Sequence, residues 1–175
     1  MRAVVIYESI YGNTHRIADE IAAGLQPAME VEVVPAAMAT PSFLDGADLL
    51  VVGGPTHAHS LPRQSTREEG VRKGRLPDSG LEIDPDAEDP GLREWFETLS
   101  EFDGRRAAAF DTRMDMNPAL TGRASKGIAK RLRRHGFDLV AEPESFLVDH
   151  GSHLVAGEAE RARAWAETLR NVIAA

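Results

Sequence analysis

The feature that most limits what this chain can fold into is its opening stretch, which reads as a strand, a short turn and a helix. Ala3-Val4-Val5-Ile6 is a β-branched apolar run of the length that a strand buried on both faces requires. Ile17, Ile21 and Leu25 then recur at i, i+4 and i+8 and mark one face of a helix over Arg16–Leu25. Between them stands Tyr7-Glu8-Ser9-Ile10-Tyr11-Gly12-Asn13-Thr14-His15. Such a turn aims unpaired backbone N–H groups at a point just off the helix N-terminus, where an anion is stabilised. Ser9, Tyr11, Asn13 and Thr14 add side-chain donors, and Gly12 allows a close approach or a positive φ. No Lys or Arg lies within Ser9–Thr14. A phosphate held there is therefore held by neutral donors, each contributing about 1.5–3 kcal/mol as a charge-assisted bond. An ordinary βα turn capped by Thr14 is the alternative that these residues leave open.

The same alternation continues along the chain. Glu30–Val34 alternates like a strand and ends at Pro35, and Ala47–Val52 follows the Asp45-Gly46 turn signal as a second buried-type strand. Gly53–Pro62 is an irregular loop with two of the six histidines, and Gln64–Lys73 has helical character. Gly74–Pro90 carries Gly, Pro and acids without apolar periodicity and reads as an excursion over the surface. Asp89-Pro90 is a helix-start signal, and Leu92, Trp95, Phe96 and Leu99 then follow at the spacing of a buried helix face. Arg106–Phe110 is short and alanine-rich, so periodicity alone does not make it a strand. Asp111–Arg123 reads as a loop, and Ala124–His135 as a basic amphipathic helix with Ser125 as a candidate cap and Gly136 as its stop. Phe137–Val148 holds the last strand, and Glu158–Ile173 closes the chain as a helix.

Strands that alternate with helices and are nearly all apolar imply an α/β fold, a doubly wound five-stranded parallel sheet covered on both faces. With 175 residues and neither repeat nor linker, residues 1–175 are expected to form one domain. Ligands of such sheets lie outside the carboxyl ends of the strands, at the switch point. Three loops meet there: Glu8–Thr14, Gly53–Pro62 and Asp111–Arg123.

Composition narrows the chemistry. With no cysteine there is no disulfide, thiolate or Cys-ligated metal, and no apolar run approaches the roughly 20 residues of a membrane span. The expected location is cytoplasmic, with no membrane partner. A formal charge of −8 argues against a nucleic-acid partner. Charge is also segregated, with ten acids and two bases over residues 75–103, then nine bases and two acids over 104–135. Two solvated faces account for this pattern, and a docking surface is the alternative.

These motifs resemble the flavodoxin family. Ser9-Ile10-Tyr11-Gly12-Asn13-Thr14 is similar to its FMN phosphate loop and Gly53-Gly54-Pro55-Thr56-His57 to its second flavin loop. Phe110-Asp111-Thr112-Arg113 begins the third, and residues 74–90 are the least family-like. The resemblance implies a flavodoxin-like sheet of strand order 2-1-3-4-5 with non-covalent FMN at the switch point, and a last strand uninterrupted, as in short-chain members. The implied cofactor contacts are Ser9, Ile10, Tyr11, Gly12, Asn13, Thr14, Pro55, Thr56, His57, Ala58, His59, Asp111, Thr112 and Arg113. No residue is assigned a catalytic or metal-ligating role.

Three departures bear on function. Tyr11 stands where flavodoxins place Ser or Thr, a pattern closer to WrbA-type quinone reductases. Loops two and three contain no aromatic ring except histidine, and Thr56–Ser60 contains no glycine. The resemblance thus implies an FMN electron carrier or an NAD(P)H-dependent quinone reductase, with a redox protein or a quinone as partner. The lack of a nicotinamide fingerprint puts the carrier first; Tyr11 and the missing glycine favour the enzyme. A flavin-free interaction module is the third reading. With His57, His59 and Arg113 as ring neighbours, a reduction potential that rises as pH falls toward about 6 is expected.

Other constellations are weaker. His57, His59, His150 and His153 form two pairs without a clear carboxylate partner for a metal. Gly122-Arg123-Ala124-Ser125-Lys126-Gly127 has nucleotide-loop spacing but not the Gly-Lys-Ser/Thr ending. No hydrolase-type serine elbow is present. Gly53 and Gly54 stand where a response regulator of this topology carries its phosphorylated aspartate.

Overall fold

Alternation along the strands decides how the layers assemble. In β1 (Arg2–Tyr7), Ala3, Val5 and Tyr7 pack into one core and Val4 and Ile6 into another, and all five are buried. The same split divides β3 (Leu49–Pro55), with Leu49 and Val51 on the first side and Leu50 and Val52 on the second. A strand buried on both faces needs a helical layer on each. The computed structural model, which describes residues 1–174, has that arrangement. Helices α1 (Asn13–Leu25) and α6 (Glu158–Ala174) cover the first face, through Ile17, Ile21 and Leu25 and through Ala162, Ala166 and Leu169. Helix α3 (Leu92–Glu97) and α5 (Ala124–Arg134) cover the second, while α2 (Gln64–Gly74) lies beside the first loop. A four-residue helix, α4 (Pro118–Thr121), precedes α5.

The strands run parallel in the order β2 (Glu30–Pro35), β1, β3, β4 (Arg105–Met114), β5 (Phe137–Leu139), which is the expected 2-1-3-4-5. This is the flavodoxin-like arrangement. The last strand is not continuous. Phe137–Leu139 pair with Arg105–Ala107, and β6 (Glu144–Val148) resumes on the same edge opposite Phe110–Met114. The gap ends at Pro143, which has no N–H to give a ladder.

Strand β4 is longer than its sequence suggests. Its Ala107-Ala108-Ala109 core has poor strand propensity, but ladders on both edges impose the conformation, and tertiary pairing outweighs propensity here. Asp111–Met114 consequently belong to this strand, not to a loop. Close packing also relies on Gly53, where an added Cβ would lie 2.0 Å from the Phe110 ring. Trp95 and Phe96 are core residues as their spacing predicts, at 3% and 4% exposure. Helix α3 starts later than Asp89-Pro90 predicts: Gly91 is its N-cap, and its N–H donates to the Glu94 carboxylate at 2.9 Å. Among the described residues, no helix is long and apolar enough to cross a membrane.

Candidate functional site

The β1–α1 turn delivers donors to one spot. Gly12 caps α1 with φ 83°, a conformation only glycine adopts without strain. Thr14 is thus the second helical residue and not the cap. Asn13, Thr14 and His15 open the helix, so their N–H groups have no intrahelical carbonyl. The Ser9 hydroxyl oxygen accepts from the Gly12 N–H at 3.0 Å and keeps its own proton to donate. The Thr14 hydroxyl pairs with that of Thr112 at 2.7 Å, which ties the first loop to the end of β4. The Asn13 side-chain amide donates to the Ser152 carbonyl at 2.6 Å, so it anchors the loop after β6.

The second loop is a tight hairpin. His57 and Ser60 exchange both backbone bonds, at 2.7 and 3.0 Å, across Ala58 (φ 46°) and His59 (φ 70°). Two consecutive left-handed residues make this the type I′ geometry that Asn-Gly usually supplies. Here two residues with β-carbons adopt it, at roughly 1–2 kcal/mol of strain each. The hairpin is braced from outside: an added Cβ on Gly122 (φ 74°) would lie 2.2 Å from the His59 carbonyl oxygen.

Thr56 and Asp111 both serve α5. The Thr56 Oγ1 accepts from the Ala124 N–H at 2.9 Å, and the Asp111 carboxylate from the Ser125 N–H at 2.7 Å. The first-turn donors of α5 are therefore engaged, and Ser125 lies inside the helix, not at its cap. Asp111 is fully buried, which pushes its carboxyl up from the ordinary range against the opposing help of Ser125, Ser145 and Arg123.

A second layer supports the first loop from below. Residues 74–90 are not a free surface excursion: Asp84 and Ala87 are 5% and 1% exposed. The Asp84 N–H donates to the Ile10 carbonyl at 2.8 Å, and its carboxylate lies 3.1 Å from the His15 Nδ1. The His15 ring stacks on Tyr7, whose hydroxyl donates to Asp86 at 3.3 Å. Burial, then Asp84 and Asp86, raises the Tyr7 phenol well above its usual value. Beside this strap, Arg67 of α2 donates to Glu8 at 3.0 Å and to Glu94 at 3.2 Å, and Glu8 also accepts from the Leu92 N–H. Several of the acids in 75–103 thus face inward, and Glu88 pairs with Arg75.

The cleft between these loops is lined by Ser9, Ile10, Tyr11, Asn13, Thr14, Pro55, Thr56, His57, Thr112 and Arg113. Gly12 shapes the turn without lining the cleft, Ala58 and His59 are exposed on the hairpin, and Asp111 points away beneath α5. Three lining residues escaped the sequence reading: Met114, Val148 and Ser152. Met114 follows once β4 is known to run past Asp111. Ser152 (φ 61°) carries no chemical signal, although its loop follows the edge strand next to β4. Tyr11 lines the cleft on its α2 side, where its hydroxyl donates to the Gly70 carbonyl at 2.7 Å. His57 packs toward Ile10 and Gly70, and burial, with the charge of Lys73, lowers its basicity. The direction of this shift opposes the gain of charge expected of it. Arg113 donates to the Met114 and Met116 carbonyls at 3.2 and 2.8 Å. His150 and His153 are exposed on the last loop, and among the described residues no three potential metal ligands gather.

The donor set fits the phosphate of FMN: neutral hydroxyls and helix amides converge, with no carboxylate lining the cleft. The enclosed volume is about 120 Å³. That is below the roughly 300–1,000 Å³ of sites that engulf a whole ligand.

This is the flavodoxin-like fold, with a cleft at the switch point of the sheet. Comparison with protein-family models gave no match, and comparison with curated protein sequences gave none. Solved structures do match, several of them over nearly their whole length. An archaeal flavodoxin superposes with a TM-score of 0.66 at 17% identity, covering 100% of both chains. Oxidised flavodoxin 1 from Bacillus cereus gives 0.67 at 18% identity over 98% of each. A WrbA-like flavodoxin protein from Agrobacterium tumefaciens gives 0.62 at 17% identity, over 99% of this chain and 97% of that one. At these identities the likeness establishes the fold.

Proposed function

We propose that this protein binds FMN non-covalently at the carboxyl ends of β1, β3 and β4 and works as an electron-transfer flavoprotein. The observation that carries this reading is the neutral anion cradle of Ser9, Gly12 and the α1 amides at the switch point, flanked by two further loops. In it, Ser9, Thr14 and the N–H groups of Tyr11, Asn13 and Thr14 would hold the phosphate, while the Gly12 N–H is taken by the Ser9 hydroxyl. Thr56, His57 and Arg113 would border the flavin, which supplies one- or two-electron chemistry when bound. Thr112 positions Thr14, while Asp111 and Thr56 hold α5 against the site. Likeness to flavodoxins and to a WrbA-like protein alike supports a flavin protein of this fold; the lack of a nicotinamide fingerprint puts the carrier first, with a redox protein or a quinone as the partner. The test is titration of the flavin-free protein with FMN: stoichiometric quenching of flavin fluorescence is expected. A protein that is colourless as purified and leaves added FMN unquenched overturns the reading and leaves the interaction module.

A quinone reductase is the second reading, favoured by the glycine-free hairpin. Its backbone is already left-handed at both central residues and closed by two hydrogen bonds, so it lacks the freedom of a glycine peptide. Steady-state NADPH oxidation in the presence of a simple quinone separates the two.

A further inference from the structure

On the far side of the His57–Ser60 hairpin lies a second cavity of about 310 Å³, and His57 forms part of both walls. Its other walls are the basic and hydroxylic Arg63, Arg93, Ser60, Ser65 and Thr66, with Ala58 and Leu61 as the apolar remainder. Arg93, half-buried on α3, is aimed here by its bonds to the Leu61 and Pro62 carbonyls at 2.9–3.1 Å and to Ser60 Oγ at 3.4 Å. Arg131 of α5 approaches the same corner, because its guanidinium donates to the Gly127 carbonyl, and Gly127 adjoins Ser60. Burial, then the positive charges of Arg93 and Arg134, makes Arg131 give up its proton more readily. Among the described residues, Arg63, Arg93 and Arg131 have no carboxylate within 4.0 Å, as several other arginines of the chain do not; what sets these three apart is that they converge on one corner. Arg93 and Arg131 are half-buried and Arg63 is exposed; like charges gathered there without a counter-ion repel, and an anion bound between them relieves that repulsion.

We propose that this cavity is a second anion site, which takes the phosphate of a phosphorylated organic co-substrate whose other end reaches across His57 into the flavin cleft. The inference rests on the proposed FMN site for its purpose but not for its chemistry. Guanidinium forks and serine hydroxyls suit phosphate oxygens, and 310 Å³ is enough for a phosphate with part of its carrier.

The test is calorimetric titration of the FMN-loaded protein with pyrophosphate and with NADP⁺, repeated on the flavin-free protein and on R131Q, R93Q and R63Q. Pyrophosphate is expected to bind both forms, to weaken as salt rises, and to lose about tenfold or more in affinity in R131Q and R63Q. Because Arg93 also holds the Leu61 and Pro62 carbonyls and Arg131 only adjoins the cavity, R63Q is the deciding variant, and its FMN affinity should match the parent. NADP⁺ competing with pyrophosphate identifies a nucleotide as the phosphate carrier; pyrophosphate binding alone identifies a smaller one. No pyrophosphate binding, or binding unchanged in R131Q and R63Q, overturns the proposal. Failure to bind FMN with pyrophosphate still bound would overturn only the flavin reading.

Discussion

Replacing Arg67 with methionine should destabilise this protein more than any surface change, and the reason lies in what remains. Arg67 and Glu8 are 4% and 6% exposed, and they meet at 3.0 Å directly under the phosphate-type loop. The second partner, Glu94, is 39% exposed and water can compensate it. Burial already raises the Glu8 carboxyl despite the help of Leu92 and Arg67. Removing Arg67 leaves that carboxylate buried with one backbone donor, a loss of about 3–5 kcal/mol. For a domain of this size that corresponds to a drop of roughly 6–20 °C in melting temperature. The double variant R67M/E8Q should recover a large part, because the neutral amide that replaces the Glu8 carboxylate still accepts from the Leu92 N–H. The pH profile has a defined sign. A carboxyl raised in the folded state contributes stability below its unfolded value, lost as pH rises through the folded one. R67M should therefore fall further behind the parent above about pH 5 than below about pH 4. Urea titrations at several pH values measure this, and a penalty under about 1 kcal/mol, or no recovery in the double variant, would refute the reasoning.

The remaining predictions concern the loops. G122A places a β-carbon against the His59 carbonyl in a left-handed residue, so it should loosen the hairpin and weaken FMN about tenfold or more, read by fluorescence titration. T14V removes the hydroxyl paired with Thr112 and should cost about 1 kcal/mol of stability plus a further loss of FMN affinity, whereas T112V should show mainly the stability loss. Burial lowers the basicity of His57, so its contribution to stability is present above about pH 6.5 and is lost as pH falls below it. H57Q should flatten the fall in urea midpoint between about pH 7 and about pH 5, and an unchanged slope would contradict the burial argument.

The strand–helix alternation, both helical layers and the first loop were legible because they rest on local patterns, whereas the strand order and the list of cleft residues came with the resemblance to flavodoxins. β-branched runs name β1 and β3, the Ile17–Ile21–Leu25 stripe names α1, and Gly12 fixes the turn. What was hidden is decided by distant partners. The alanines of β4 are strand only because ladders flank them, which moved Asp111 out of a loop and into the buried cap of α5. Residues 74–90 look like an acidic surface loop because no pattern records that Asp84 and Asp86 close on His15 and Tyr7. Likewise a histidine in a polar loop gives no sign that it is packed toward Gly70, as His57 is.

The most direct measurement is the ratio of affinities for FMN and riboflavin, by titration of the flavin-free protein at low and high salt. The two ligands differ only in the phosphate, so the ratio reads the cradle of Ser9, Gly12 and the α1 amides. Two or more charge-assisted bonds at about 1.5–3 kcal/mol each predict FMN tighter by at least about a hundredfold. Because no Lys or Arg lies in the turn, that preference should change little with salt. Equal affinity for the two flavins, or a preference that collapses as salt rises, would contradict the assignment of this turn as a neutral phosphate site.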